Sequence, residues 1–357
     1  MQGRPMRDLI LVLATLLMVA GCFIARAEED SPVVHVASRA LRLQTPSGPV
    51  LVPYESSKEW SHPLPEITRA VILIHGLKRN VESAYRTLER AASDSDAAAR
   101  NTVLITPQFL NKTDLSGHSL PKEVLRWQGS NWDSGYPATD PAPVSAYDVL
   151  DALIQELCRK SIFPNLTTIV IAGHSAGGQI VQRYAVVGRA LSFAASQGVR
   201  VRLVAANPSS YLYFTDERPL PTAPAFQFAR FTDVNCATFN HWKYGLENPP
   251  PYIVGGAAQN WKVTEDDYAR REVIYLLGTA DNDPHHAELD KSCAGEAQGP
   301  HRFFRGQAYY AWLHARHPAE WNQHLWFVPG VAHSAEDIFT SKCGLAALFD
   351  HDSCRDQ

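Results

Sequence analysis

The chain has 357 residues, 45% of them hydrophobic and 20% charged, with a formal net charge of −4. That is ample for a large core, and α/β chains of this size often form one domain. With no basic run there is no electrostatic footprint for nucleic acid, and no repeat or low-complexity tract is present.

Residues 1–27 read as a targeting segment. Arg4 and Arg7 precede an apolar stretch, Leu9 to Ala20, that is short for a membrane span. Val19-Ala20-Gly21-Cys22 resembles a bacterial lipobox, in which Cys22 would be lipidated and become the new N-terminus; Ala25-Arg26-Ala27 resembles an ordinary signal-peptidase site. Either route exports the protein, as a periplasmic or outer-membrane lipoprotein attached through Cys22 or as a secreted protein. A retained anchor is the alternative. Export permits disulfides. Beyond Cys22 there are Cys158, Cys236, Cys293, Cys343 and Cys354, an odd set, so at least one thiol stays free. Cys158 falls on a predicted amphipathic helix and is expected to be a small buried hydrophobe; the other four can pair in three ways.

Residues 28–357 are expected to form a single domain. Val33 to Val36, Leu41 to Gln44 and Val50 to Tyr54 suggest short antiparallel strands, and Arg69 to Ile74 a buried strand ending in His75-Gly76-Leu77. A helix is predicted over Val81 to Ala92, and a strand over Thr102 to Thr106 before Pro107. Residues 111–143 form a long irregular stretch holding Trp127 and Trp132, expected to line a site. Val149, Leu150, Leu153, Ile154 and Leu157 share one face of a helix predicted over Val144 to Leu157. Thr167 to Ala172 is an unbroken, β-branched run, as in a strand buried on both faces. After a glycine corner, Ile180, Val181, Tyr184 and Ala185 fall near helical spacing. Val199 to Ala206 is the next strand. Residues 211–268 break the alternation and are expected to be an irregular insertion capping the site. Glu272 to Leu277 returns to strand, Phe303 to Ala315 to helix, His324 to Val328 to the last strand and Ala335 to Leu348 to the last helix. Such alternation predicts an α/β fold, a mainly parallel sheet covered by helices on both faces.

The corner is Gly173-His174-Ser175-Ala176-Gly177. A serine between strand and helix sits on a tight turn with its hydroxyl exposed, and flanking glycines let strand and helix pass where a Cβ would clash. The helix start offers free N–H groups to a developing negative charge. This resembles the nucleophile elbow, G-x-S-x-G, of the α/β-hydrolase superfamily. Serine needs an adjacent base. Of fourteen histidines, His333 follows the last strand, where the superfamily keeps its base. Asp281 follows Leu276-Leu277-Gly278-Thr279-Ala280 and resembles the superfamily's acid turn; Asp283, two residues on, is its rival. The order Ser175, Asp281, His333 matches that fold. His75-Gly76-Leu77 resembles the H-G-x oxyanion loop, which makes the N–H groups of Leu77 and Ala176 the expected oxyanion donors, with His75 bracing the loop. The H-G-G-G form is absent.

The resemblance covers roughly residues 69–350 and implies the α/β-hydrolase fold and acyl transfer to water through an acyl-enzyme. The expected activity is that of a carboxylic-ester hydrolase acting on a small-molecule or polymeric ester. A peptidase, amidase or polyester depolymerase on the same triad is the alternative, and a non-catalytic surface binding protein is a third. Trp127, Trp132, Tyr211 and Trp242 are candidate substrate contacts. Asp281, Asp283, His285, His286 and Asp290 also resemble a metal cluster, but no zincin-type framework accompanies them and a solvated loop is preferred. Neither G-x-G-x-x-G nor a P-loop occurs, so no cofactor is expected.

Overall fold

The computed structural model describes residues 31–220, 226–254, 259–319, 321–351 and 354–356. The expected targeting segment, Cys22 included, lies outside the described residues.

Among the described residues ten strands are formed: β1 (Arg39–Thr45), β2 (Gly48–Ser56), β3 (Arg69–Ile74), β4 (Thr102–Pro107), β5 (Thr168–His174), β6 (Arg200–Ala206), β7 (Glu217–Pro219), β8 (Phe228–Arg230), β9 (Glu272–Gly278) and β10 (Gln323–Val328). Eight of them make one sheet in the order β1-β2-β4-β3-β5-β6-β9-β10, and β7 and β8 pair separately. The β1–β2 hairpin is antiparallel, and β2 meets β4 antiparallel; from β4 to β10 every pairing is parallel. The mainly parallel sheet is what the alternation of strands and helices predicts, and the architecture is the α/β-hydrolase fold that the resemblance implies.

The apolar run of β5 fits its central place. Ile169 and Ile171 enter one core layer, with Leu150, Val181 and Leu203. Val170 and Ala172 enter the other, with Leu88, Phe339 and Leu348. Successive strand residues point to opposite faces, so both must be apolar when both faces are covered. Each fully buried Val, Ile or Leu contributes about 1.5–3 kcal/mol. The register brings Gly173 opposite Ile74 and Ala205, so β3, β5 and β6 end at one level and present their following residues to one edge of the sheet.

The helices are α1 (Val81–Asp94), α2 (Ala146–Leu157), α3 (Ala176–Val187), α4 (Ala190–Ser196), α5 (Trp261–Arg270), α6 (Arg302–Arg316), α7 (Ala335–Thr340) and α8 (Lys342–Phe349), besides single turns. α2 begins two residues later than its hydrophobic pattern suggests. Ser145 caps it in a reciprocal box with Asp148, and the cap, not the apolar Val144, sets the boundary. The single helix expected over Ala335 to Leu348 is two helices. Ser341 is extended between them and its hydroxyl caps Gly344 N–H. A Cβ at Gly344 would stand 2.2 Å from the Ile338 carbonyl oxygen, so the break is packed tightly. Val33 to Val36 is not a strand. Val33 N–H donates to Asp114 and Ala37 N–H to Gln108, so side chains take the donors a ladder would need.

Residues 211–268 hold more regular structure than expected: the β7–β8 pair and α5. Tyr211 and Tyr213 are buried against Tyr309, and Arg218 lies over the Tyr213 ring. Disulfides join Cys236 to Cys293 and Cys343 to Cys354, and Cys158 is a buried free thiol. Among the described residues no helix is long and apolar enough to cross a membrane.

Candidate active site

Ser175 sits between β5 and α3 with φ 59° and ψ −119°. A non-glycine residue there carries strain on the order of 1–3 kcal/mol, which the surroundings must enforce. Ser175 N–H donates to the Ala206 carbonyl at 3.0 Å, and the Ser175 carbonyl accepts from Gln179 N–H at 2.9 Å. Three glycines admit the corner. A Cβ at Gly173 would lie 2.2 Å from the Gly177 oxygen, one at Gly177 2.3 Å from the Ile74 oxygen, and one at Gly178 2.5 Å from the Ala206 oxygen. The first two are the glycines of the G-x-S-x-G pattern; the need for Gly178 arises from the neighbouring strand β6.

His333, in the loop after β10, and Asp281, just past β9, meet across the sheet edge. Asp281 Oδ2 lies 2.7 Å from His333 Nδ1. With the carboxylate accepting, Nδ1 carries the proton and Nε2 is left basic. His333 Nε2 is buried and has no hydrogen-bond partner among the described residues. Burial pushes the Asp281 carboxyl up, but the His333 hydrogen bond and the His333, Arg302 and His286 charges more than offset this and hold it below the ordinary range. Asp283, by contrast, is exposed, and its Oδ1 accepts from His285 N–H at 2.8 Å. Asp290 bonds Tyr244 and Ser292, so the carboxylates of this stretch do not converge.

The loop after β3 is braced by His75. Its Nε2 accepts from Phe109 N–H at 2.9 Å, which leaves Nδ1 to donate to the Gly76 carbonyl at 2.8 Å. Burial lowers its pKa to about 4, so the ring is neutral and held in one tautomer. Arg79, left-handed at φ 56°, donates to the Leu77 carbonyl and is itself locked by the buried Asp114. Leu77 is thus carried on a rigid turn beside the corner. Ala176, the first residue of α3, has no intrahelical acceptor for its N–H.

Residues 71–336 match the model of the alpha/beta hydrolase family. The chain belongs to that family. Among solved structures it resembles a poly(3-hydroxybutyrate) depolymerase from Bordetella parapertussis: 19% identity, TM-score 0.58, covering 90% of this chain and 93% of that one. It also resembles poly(aspartic acid) hydrolase-1 from Sphingomonas sp. KT-1: 20% identity, TM-score 0.55, covering 86% and 96%. At these identities the likeness is one of fold. No curated protein matches the sequence.

In this alpha/beta hydrolase a cleft of about 640 Å³ opens over the corner, bordered by Leu77, His174, Ser175, His286, His333 and Phe339. The Lys78 ammonium and the Glu288 carboxylate face each other at 3.7 Å on its border. The rings of His174 and His286 stand 4.4 and 5.0 Å from that of His333. His174 is held well below the ordinary histidine range by burial, then by the charges of His333, Arg302 and His286. His286 is lowered by burial, Arg302 and His333. Its Nδ1 accepts from Glu288 N–H, so its remaining proton is on Nε2.

The four aromatics expected to touch substrate do not border the cleft. Trp127 and Trp132 are buried against Phe109, Tyr211 stacks on Tyr309, and Trp242 donates its indole N–H to the Ser134 carbonyl. No described residue of 211–268 lines the cleft either. Large aromatics bring more apolar area to a core than most side chains, and here the core takes them. Trp132 does act on the site at one remove, since its ring packs edge-on against His75.

Two residues at the site went unseen in the sequence. Asn207, left-handed at φ 42° after β6, accepts from Gly278 N–H at 2.9 Å and reaches toward His174 Nε2 and the Ala332 carbonyl at 3.4 Å. It ties the ends of β5, β6 and β9 to the histidine loop. Arg302, at the start of α6, meets Asp281 Oδ1 at 3.4 Å. The only signal for Asn207 is its place one residue past a strand; nothing in the sequence marks Arg302.

Proposed function

We propose that this alpha/beta hydrolase is an exported serine hydrolase that cleaves carboxylic esters through an acyl-enzyme. The observation that carries the proposal is the His333–Asp281 bond of 2.7 Å, with His333 Nε2 unpartnered in the cleft that holds Ser175. His333 takes the Ser175 proton as Oγ attacks the substrate carbonyl, and Asp281 holds the imidazolium that forms. The carbonyl oxygen becomes an oxyanion received by Leu77 and Ala176 N–H, at the positive end of α3. His333 then gives its proton to the departing alcohol. Water, deprotonated by the same imidazole, releases the acid and restores Ser175.

Export rests on the N-terminal signals, through lipidation at Cys22 or ordinary cleavage after Ala27, and the two disulfides fit an oxidising compartment. Residues 28–357 are read as one domain with an insertion at 211–268. A second reading is depolymerase or amidase action on a polymer, the kind of activity named for the two structural relatives, a poly(3-hydroxybutyrate) depolymerase and a poly(aspartic acid) hydrolase.

Hydrolysis of a short-chain chromogenic ester, with and without a fluorophosphonate, tests the proposal. Ser175→Ala is expected to lose on the order of 10⁶ in kcat and all labelling. Retention of more than a few percent of wild-type activity by that variant defeats the assignment. A panel of simple esters, amides and polyesters separates the two readings.

A further inference from the structure

The Asp281 carboxylate is shared. Oδ2 holds His333 Nδ1 at 2.7 Å, and Oδ1 faces Arg302 Nη1 at 3.4 Å. Arg302 is not a surface partner: its side chain is fully buried. Its Nε donates to Ser209 Oγ at 2.8 Å, while Nη2 is buried with no hydrogen-bond partner among the described residues. The same turn of α6 holds the acid's backbone, since Phe303 N–H donates to the Asp281 carbonyl at 3.1 Å. Burial weakens the guanidinium's hold on its proton, and Asp281 partly restores it; an arginine so placed stays charged. A buried cation beside the acid of a proton-transfer pair is costly unless paired. It also competes for the charge that the acid offers to imidazolium.

Among the described residues, three side chains contact the His333 ring. Asp281 and His286 come from the stretch after β9, and His174 comes from the end of β5. Arg302 reaches His333 through Asp281 from α6, and Glu288, paired with Lys78, borders the same cleft and donates its backbone N–H to His286. His174 and His286 are both disfavoured as cations. Among the described residues, the charge in contact with His333 is the Asp281 carboxylate, with the Arg302 guanidinium on its far side and the Lys78–Glu288 pair on the border of the cleft.

We propose that Arg302 is a positioning residue that orients the Asp281 carboxylate and withholds part of its charge from His333, extending activity toward acid. Arg302 can only donate, so it requires an acceptor at Oδ1 and turns Oδ2 to the imidazole. With Arg302 gone, the undivided carboxylate holds imidazolium more strongly. The proton-free imidazole, the active form, is then lost at higher pH.

The inference rests on the triad reading and is tested by the pH profile of kcat/KM on a chromogenic ester. Arg302→Gln and Arg302→Met remove the charge by different chemistries, so one that fails to fold leaves the other. Either is expected to move the acid limb up by about half a pH unit or more. Arg302→Lys, which keeps the charge, is expected to leave the limb within about 0.2 unit of wild type while lowering kcat. A limb that stays in place or moves down in the charge-removing variants overturns the inference, as does an equal upward shift in Arg302→Lys. Wild-type activity that survives Ser175→Ala sinks the triad reading instead, so the two failures are distinguishable.

Discussion

Replacing Asp281 by asparagine changes one atom, and the arrangement around it sets the outcome. In the native site the two carboxylate oxygens serve two donors, His333 Nδ1–H and Arg302 Nη1–H. An asparagine side chain has a single acceptor oxygen. Arg302 is buried, cannot accept and is anchored on Ser209, so its demand for that oxygen is the stronger. The amide NH₂ then faces His333, makes Nδ1 the acceptor and drives the ring proton to Nε2. An imidazole protonated on Nε2 cannot take the Ser175 proton. The expected loss is that of a wrong-tautomer triad, about 10⁴ in kcat, or about 5.4 kcal/mol at about 1.36 kcal/mol per tenfold. Asp283 is exposed and caps only the His285 N–H, so Asp283→Asn should cost less than about tenfold. Steady-state kinetics on a chromogenic ester across pH 5 to about 9, with thermal melts to establish folding, compares the two variants. If Asp283→Asn is the costlier change, or if folded Asp281→Asn keeps more than about one percent of kcat, the assignment of the acid is wrong.

Further outcomes follow from the corner, the ion pairs and the disulfides. Gly178→Ala sets a Cβ 2.5 Å from the Ala206 oxygen, against backbone that cannot yield cheaply; a loss of roughly 1–3 kcal/mol in denaturant melts, with reduced kcat, is expected, and an unchanged midpoint contradicts the close approach. In Asp281, Glu272, Asp290 and Asp350 burial raises the carboxyl pKa, but hydrogen bonds and nearby cations more than compensate and leave each below its ordinary value. Groups depressed in the folded state contribute stability that is present above the ordinary carboxylate range and lost as pH falls through the folded values. The melting temperature should therefore hold near pH 6 and drop below about pH 4; a flat profile down to about pH 3 argues against these pairs. Opening Cys236–Cys293, 57 residues apart, by a double serine substitution should cost on the order of 4 kcal/mol in denaturant melts, and a loss of under about 1 kcal/mol would show that the bridge constrains little.

Much of the site was legible because its signals are local. The β-branched run of β5, the glycines around Ser175 and the H-G-x turn are each read within a few neighbouring residues, and backbone sterics determine them. The places of His333 and Asp281 after strands, in the order expected of the fold, mark them as candidates, and the structure brings the two together. Local signals failed where packing decided. Trp127, Trp132, Tyr211 and Trp242 are the residue types of a substrate pocket and of a core alike, and only the tertiary structure sends them to the core.

By itself, then, the sequence determined the alternation of strands and helices, the corner and the order of the three candidate catalytic residues. The tertiary structure alone decided the pairing of the four cysteines, the break at Ser341, and the neighbours of Asn207, Gly178 and Arg302. Each depends on a neighbour distant in the chain. Asn207 reaches Ala332 across 125 residues, Arg302 meets Asp281 across 21, and Gly178 is crowded by β6. Periodicity and turn chemistry reach only a few residues along the chain, whereas a buried charge or a missing Cβ acquires its meaning from whatever the fold brings against it.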